Sequence, residues 1–179
     1  MASSNPFLWW LPGGGGDKAA RTGGRVPPSA SLPEAASLIR RAQQISVAVF
    51  LDEWAELDLT PVQFAALEVI GAQPGIDATR LCGLTGFDRT TISGVLERMQ
   101  AKGWISRKAG AEDKRTKTVS LTAAGKKLLA RAEPMAVTAQ EKLLSPLDDD
   151  EKNALVGLLE KLVEGNNDLS RAPRRSAGD

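Results

Sequence analysis

The chain has 179 residues, 42% of them apolar and 25% charged, with a net charge of +1. That is enough for one ordinary hydrophobic core, and the near-zero charge argues against a uniformly basic nucleic-acid coat. There is no histidine and one cysteine, Cys82, so a common zinc site, a Ser-His or Cys-His catalytic pair and an internal disulfide are all excluded.

No enzyme and no cofactor are therefore expected. A lone thiol suits a reducing, cytoplasmic setting. No apolar run approaches the roughly 18 residues that span a bilayer, so no membrane partner is expected. The charge is uneven. Residues 88–117 hold eight Lys/Arg against four Asp/Glu, whereas residues 148–164 hold two Lys against six Asp/Glu. The middle of the chain is basic and the later helix acidic.

Residues 1–32 are rich in Gly, Pro and Ser without periodicity, and are predicted to be a disordered arm. The run FLWWL (7–11) is too short for a signal-peptide core and has no basic residue before it. It is either a sticky arm or a plain tail. An ordered domain is expected over 33–165 and a flexible tail over 166–179.

From Pro33, the spacing of Leu38, Ala42, Ile45 and Val49 predicts a long amphipathic helix to about Leu57. Val47, Phe50, Leu51 and Trp54 form a second apolar face, which calls for cover by a partner chain as well as by the core. TPVQ (60–63) is a helix start, with Thr60 as cap, Pro61 at the first position and Gln63 closing a capping box. That helix stops before Gln73, Pro74 and Gly75. Asp77 caps a short helix over 78–84. Asp88 caps the next, which ends at Gly103.

After Gly103 the period changes from helical to alternating. Residues 104–107 and 118–121 read as two strands of a ribbon, with a polar, charged tip over 108–117. Thr122 caps another long helix, in which Pro134 should produce a kink or a division. Leu155, Leu158, Leu159 and Leu162 stripe a last helix.

The run DRTTISGVLERMQAKGWISR (88–107) carries the chemistry. Ile92, Val95, Leu96 and Met99 face a core, which leaves Arg89, Thr90, Thr91, Ser93 and Gly94 on or near the outer side of the first turns. A DNA major groove admits one helix whose first turns approach the base edges. Small hydroxyls can bond bases or phosphates, and arginine can grip guanine. A short helix, a tight turn and such a helix form a helix-turn-helix, here over about 60–121 with the ribbon as its wing. A basic wing tip can enter the minor groove, where arginine senses width. The fold expected is thus mainly α with a two-stranded β-wing, a winged helix-turn-helix. Cys82 reads as a small buried residue rather than a sensor.

Over about 33–163 the chain resembles the MarR family of bacterial transcriptional regulators. The residues that carry this are the run at 88–107, the wing pattern Asp113-x-Arg115 and Leu121-Thr122-x-x-Gly125. The resemblance implies a homodimer held by N- and C-terminal dimerisation helices, which binds a palindromic double-stranded DNA operator. It makes Arg89, Thr90, Thr91 and Ser93 major-groove candidates. Arg98 and Lys102 become backbone or inter-helix candidates. Lys114, Arg115 and Lys117 belong to the wing, with Arg115 as the minor-groove probe. RRAQQI (40–45) and LTPVQFAAL (59–67) resemble a narrower group that responds to aromatic acids or their coenzyme A thioesters. The chain departs from that group at Gln43, where a histidine is expected. By this resemblance Arg40, Arg41 and Gln44 would meet an effector's acid group, and Phe50, Trp54 and Phe64 would wall its ring; the alternative makes the arginines surface and the aromatics core. A repressor released by its effector is the outcome implied. The rival is an architectural DNA binder with no effector.

Overall fold

Trp54 marks where the chain turns inward. A computed structural model describes residues 32–109, 117–170 and 172–174. The first helix, α1 (Leu32–Glu53), ends one residue before Trp54, and Ala55–Leu57 tighten into a 3₁₀ turn. The helix expected to reach Leu57 is therefore shorter. Trp54 is only 1% exposed, and its indole N–H donates to the Ala132 carbonyl at 3.2 Å. Asp58 follows with φ 48°, a left-handed conformation that no helix interior accepts.

Among the described residues, five further α-helices and a sheet follow. α2 (Pro61–Ala72) starts as expected, with the reciprocal Thr60–Gln63 capping box in place. β1 (Ile76–Asp77) leads into α3 (Ala78–Thr85), and α4 (Arg89–Ala101) follows after Gly86, whose φ of 70° closes α3. β2 (Ile105–Ala109) and β3 (Lys117–Leu121) pair antiparallel, with Ile105 opposite Leu121 and Arg107 opposite Val119. The sheet has three strands, in the order β1-β3-β2, rather than the two expected. The extra strand is only two residues long, too short for alternation to betray it. Ile76 is buried and lies opposite Val119.

α5 (Ala123–Leu144) runs unbroken through Pro134, so the helix is not divided there. Pro134 is exposed, and so is Ala130, the residue four earlier whose carbonyl loses its helical N–H partner there. Gly125 near the start of α5 has a steric cause. A Cβ there would stand 2.0 Å from the Trp104 carbonyl oxygen. That oxygen already accepts the Thr122 main-chain N–H at 3.0 Å and its hydroxyl at 3.1 Å. The spacing Leu121-Thr122-x-x-Gly125 thus fastens α5 to the end of α4.

The core runs through α2, α3, α4 and the sheet, with Leu67, Ile70, Leu81, Ile92 and Met99 fully buried. Each such side chain contributes about 1.5–3 kcal/mol of burial. α1 packs on α5. α6 (Asp149–Gly165) is different, because none of its residues is buried. Among the described residues no helix is long and apolar enough to cross a membrane, and no group of His, Cys, Asp and Glu is placed to hold a metal.

Candidate nucleic-acid interface

Two aspartates set the reading unit. Asp77 accepts the Thr79 and Arg80 main-chain N–H groups at 2.8 and 2.9 Å and so starts α3. Asp88 starts α4: one carboxylate oxygen accepts the Thr91 N–H at 2.9 Å, and the other accepts the Thr91 hydroxyl at 2.6 Å. These bonds, the hydroxyl's first, hold the Asp88 carboxyl below its usual range. Thr91 therefore commits its hydroxyl proton to the cap and keeps only acceptor capacity outward.

The inner face of α4 is Ile92, Val95, Leu96 and Met99, all buried. The outer face exposes Arg89, Thr90, Ser93, Glu97, Arg98 and Gln100, with Thr91 and Gly94 half-buried. Thr90, Ser93, Glu97 and Gln100 recur at helical spacing and make one stripe. Glu97 and Gln100 extend the stripe beyond the residues expected from sequence; counting one turn further along the outer face would have found them. A Cβ on Gly94 would lie 3.4 Å from an Arg98 terminal nitrogen, so Arg98 folds back along the helix towards its start. Thr79 and Arg80, exposed at the start of α3, are further polar groups that the sequence reading passed over.

Lys102 lies elsewhere. Its ammonium is bonded to Asp58 and sits 4.4 Å from the Trp104 ring centroid. Both contacts engage the Lys102 ammonium within the chain, at the end of α4. Lys117 is exposed at the start of β3. Lys114 and Arg115, with Asp113, lie outside the described residues. On the inner side of the wing, Arg107 holds Nε and Nη2 buried without a hydrogen-bond partner among the described residues.

The effector candidates fall into two groups. Phe50, Trp54 and Phe64 are brought together, with ring centroids 5.0 and 4.6 Å apart. Trp54 and Phe64 are buried in the core. Arg40, Arg41 and Gln44 are exposed earlier on α1, and Arg41 donates to Gln44 at 3.4 Å. Gln44 precedes Phe50 by six residues, about 9 Å of helix. An acid pair was not anticipated. Burial first, and the Glu133 carboxylate second, push Glu68 up to about 8, and burial raises Glu133 too. Cys82 is half-buried rather than fully buried. Desolvation raises its thiol, partly opposed by Arg89.

The profile of the MarR family matches residues 57–116. The chain is 35% identical over 106 residues to the transcriptional regulator HosA of Escherichia coli O157:H7, covering 59% of this chain and 78% of HosA. The chain belongs to the MarR family. Like other MarR-family proteins it is a DNA-binding transcriptional regulator with a winged helix-turn-helix, not an enzyme. Two solved structures are similar across most of the MarR fold. Bordetella bronchiseptica BpsR, whose DNA binding is regulated by 6-hydroxynicotinic acid, is 29% identical with a TM-score of 0.68, over 72% of this chain and 98% of BpsR. The transcriptional repressor CouR, bound to a 23-mer DNA duplex, is 29% identical with a TM-score of 0.68, over 74% of this chain and 92% of CouR.

Proposed function

We propose that this MarR-family chain acts as a homodimeric repressor that binds a palindromic operator and is released by a small aromatic acid or its coenzyme A thioester. The observation that carries the dimer is α6. Val156, Leu158, Leu159, Leu162 and Val163 on it are exposed, and so are Leu38, Ile39, Ile45 and Leu51 on α1. A soluble protein does not leave two such apolar faces in water, and a second copy of the chain offers the same faces in return.

In the dimer, two α4 helices enter successive major grooves about one helical turn apart. Arg89, Thr90 and Ser93 face the bases, and Thr91 offers its remaining acceptor capacity. Arg98 reaches phosphate. Lys102 acts from behind by fixing the end of α4. Lys114, Arg115 and Lys117 bring the wing to the backbone and minor groove. Arg40, Arg41 and Gln44 hold the effector's acid group, and the Phe50, Trp54 and Phe64 cluster receives its ring by partial opening. Effector and DNA then weaken each other by the same factor. Regulation of BpsR by a hydroxylated aromatic acid supports this class of ligand.

The experiment is sedimentation of the full chain, followed by thermal-shift screening with aromatic acids and their coenzyme A esters, and duplex titration with each hit. A stabilising hit that also releases DNA is expected. Equal affinity for every duplex, with no hit from the screen, would favour the architectural rival.

A further inference from the structure

Beyond α6 the chain does not simply leave the body. Asn167–Leu169 make a 3₁₀ turn, and the Asn166 side chain donates to the Leu162 carbonyl at 2.8 Å. The Asn167 side chain then bonds the main chain of Arg174 in both directions. Its amide nitrogen donates to the Arg174 carbonyl at 3.0 Å, and its oxygen accepts the Arg174 N–H at 2.8 Å. Two bonds to one residue fix both position and direction.

Arg174 so fixed lies against Gly86. A Cβ built on Gly86 would stand 3.2 Å from both Cγ and Nε of Arg174. The arginine stem packs where any larger residue would push it away. Gly86 is the left-handed cap of α3, two residues before the Asp88 cap of α4. The angle between α3 and α4 is set in that turn. α4 has 13 residues, about 20 Å of helix. A few degrees at its start therefore displace the groups that meet DNA.

We propose that Asn167 and Arg174 form a strap by which the C-terminal segment holds the α3–α4 turn and positions the recognition helix. Both are positioning residues, acting through Gly86 and not by touching DNA.

The test uses the full-length chain and a duplex enriched from a random-sequence pool by the unaltered protein, compared with random duplex of equal length. R174A and N167A should lower discrimination between the two duplexes about fivefold or more. Amide exchange over residues 86–91 should speed up in both, while the core of α2 exchanges as before. R174M keeps the stem and the main-chain bonds, so it should restore the part of both readouts that the stem carries. The salt dependence of binding should keep the slope of the unaltered protein in all three. Unchanged discrimination and exchange in R174A and N167A would overturn the strap. So would a slope smaller by about 0.9 in R174A and R174M alike, which marks a lost phosphate contact instead. The exchange measurement needs no DNA and decides the matter alone if the enriched duplex binds poorly.

Discussion

Lys102 and Asp58 are joined twice: the ammonium donates to the Asp58 carboxylate at 2.6 Å and to its main-chain carbonyl at 2.8 Å. Lys102 closes α4, and Asp58 is the left-handed residue between α1 and α2. The pair therefore ties the end of the recognition helix to the junction of the supporting helices. An exposed ion pair of this kind contributes about 0.2–1 kcal/mol, and the Trp104 ring adds about 0.5–1 kcal/mol. K102M should lower stability by about 1 kcal/mol in denaturant titration. It should leave the salt dependence of DNA binding unchanged, because the ammonium is already engaged. R98A should reduce that slope by about 0.9, as one lost phosphate contact does. A reduced slope in K102M would make Lys102 a phosphate ligand.

Gly125 tests how α5 is fastened to the winged unit. With a Cβ at 2.0 Å from the Trp104 oxygen, G125A must either separate the two backbones or break the Thr122 bonds. A loss of about 3 kcal/mol or more is expected, measured as the denaturant midpoint at constant slope. G157A on α6 is the control, since nothing lies within 4 Å of the Cβ it adds.

What could be read from sequence followed the range of the forces involved. The Thr60–Gln63 box, the Asp88 cap and the Thr122–Gly125 start act within one helical turn, and all three stand as expected. The apolar stripe of α4 was legible because a helix repeats its face. Contacts distant in sequence left no local trace. Lys102 and Asp58 are 44 residues apart, Glu68 and Glu133 lie on different helices, and the two-residue β1 exists only because β3 is there to pair with it. Trp54 was legible as aromatic, but not as a side chain sealed by a carbonyl of α5.

The Glu68–Glu133 pair predicts how stability depends on pH. Burial and the neighbouring carboxylate lift Glu68 from an ordinary 4.5 to about 8. The folded chain thus binds this proton more tightly than the unfolded chain. The contribution is full below about pH 4.5, declines as pH rises, and is gone above about 8. Between pH 6 and 8.5 the protein should lose stability, and E68Q should flatten that decline. At pH 8.5 E68Q should be more stable by about 1–3 kcal/mol, discounted for partial solvent access. Identical pH profiles for the two proteins would mean that Glu68 ionises as freely folded as unfolded.

The exposed face of α6 makes the sharpest test of the dimer. Leu158 is 67% exposed, and Leu159 and Leu162 are each 45% exposed. In a lone chain, placing glutamate at Leu159 and Leu162 should change stability by only about 0.5 kcal/mol, as surface substitutions do. In a dimer built on that face, the same change buries unpaired charge between the copies and costs about 3–5 kcal/mol. L159E/L162E should therefore sediment at half the mass of the unaltered protein. Its melting temperature should no longer rise with protein concentration, because mass action acts only where subunits associate. DNA binding should fall to that of one half-site. If the double variant keeps the mass and the concentration dependence of the unaltered protein, this face of α6 holds no second copy.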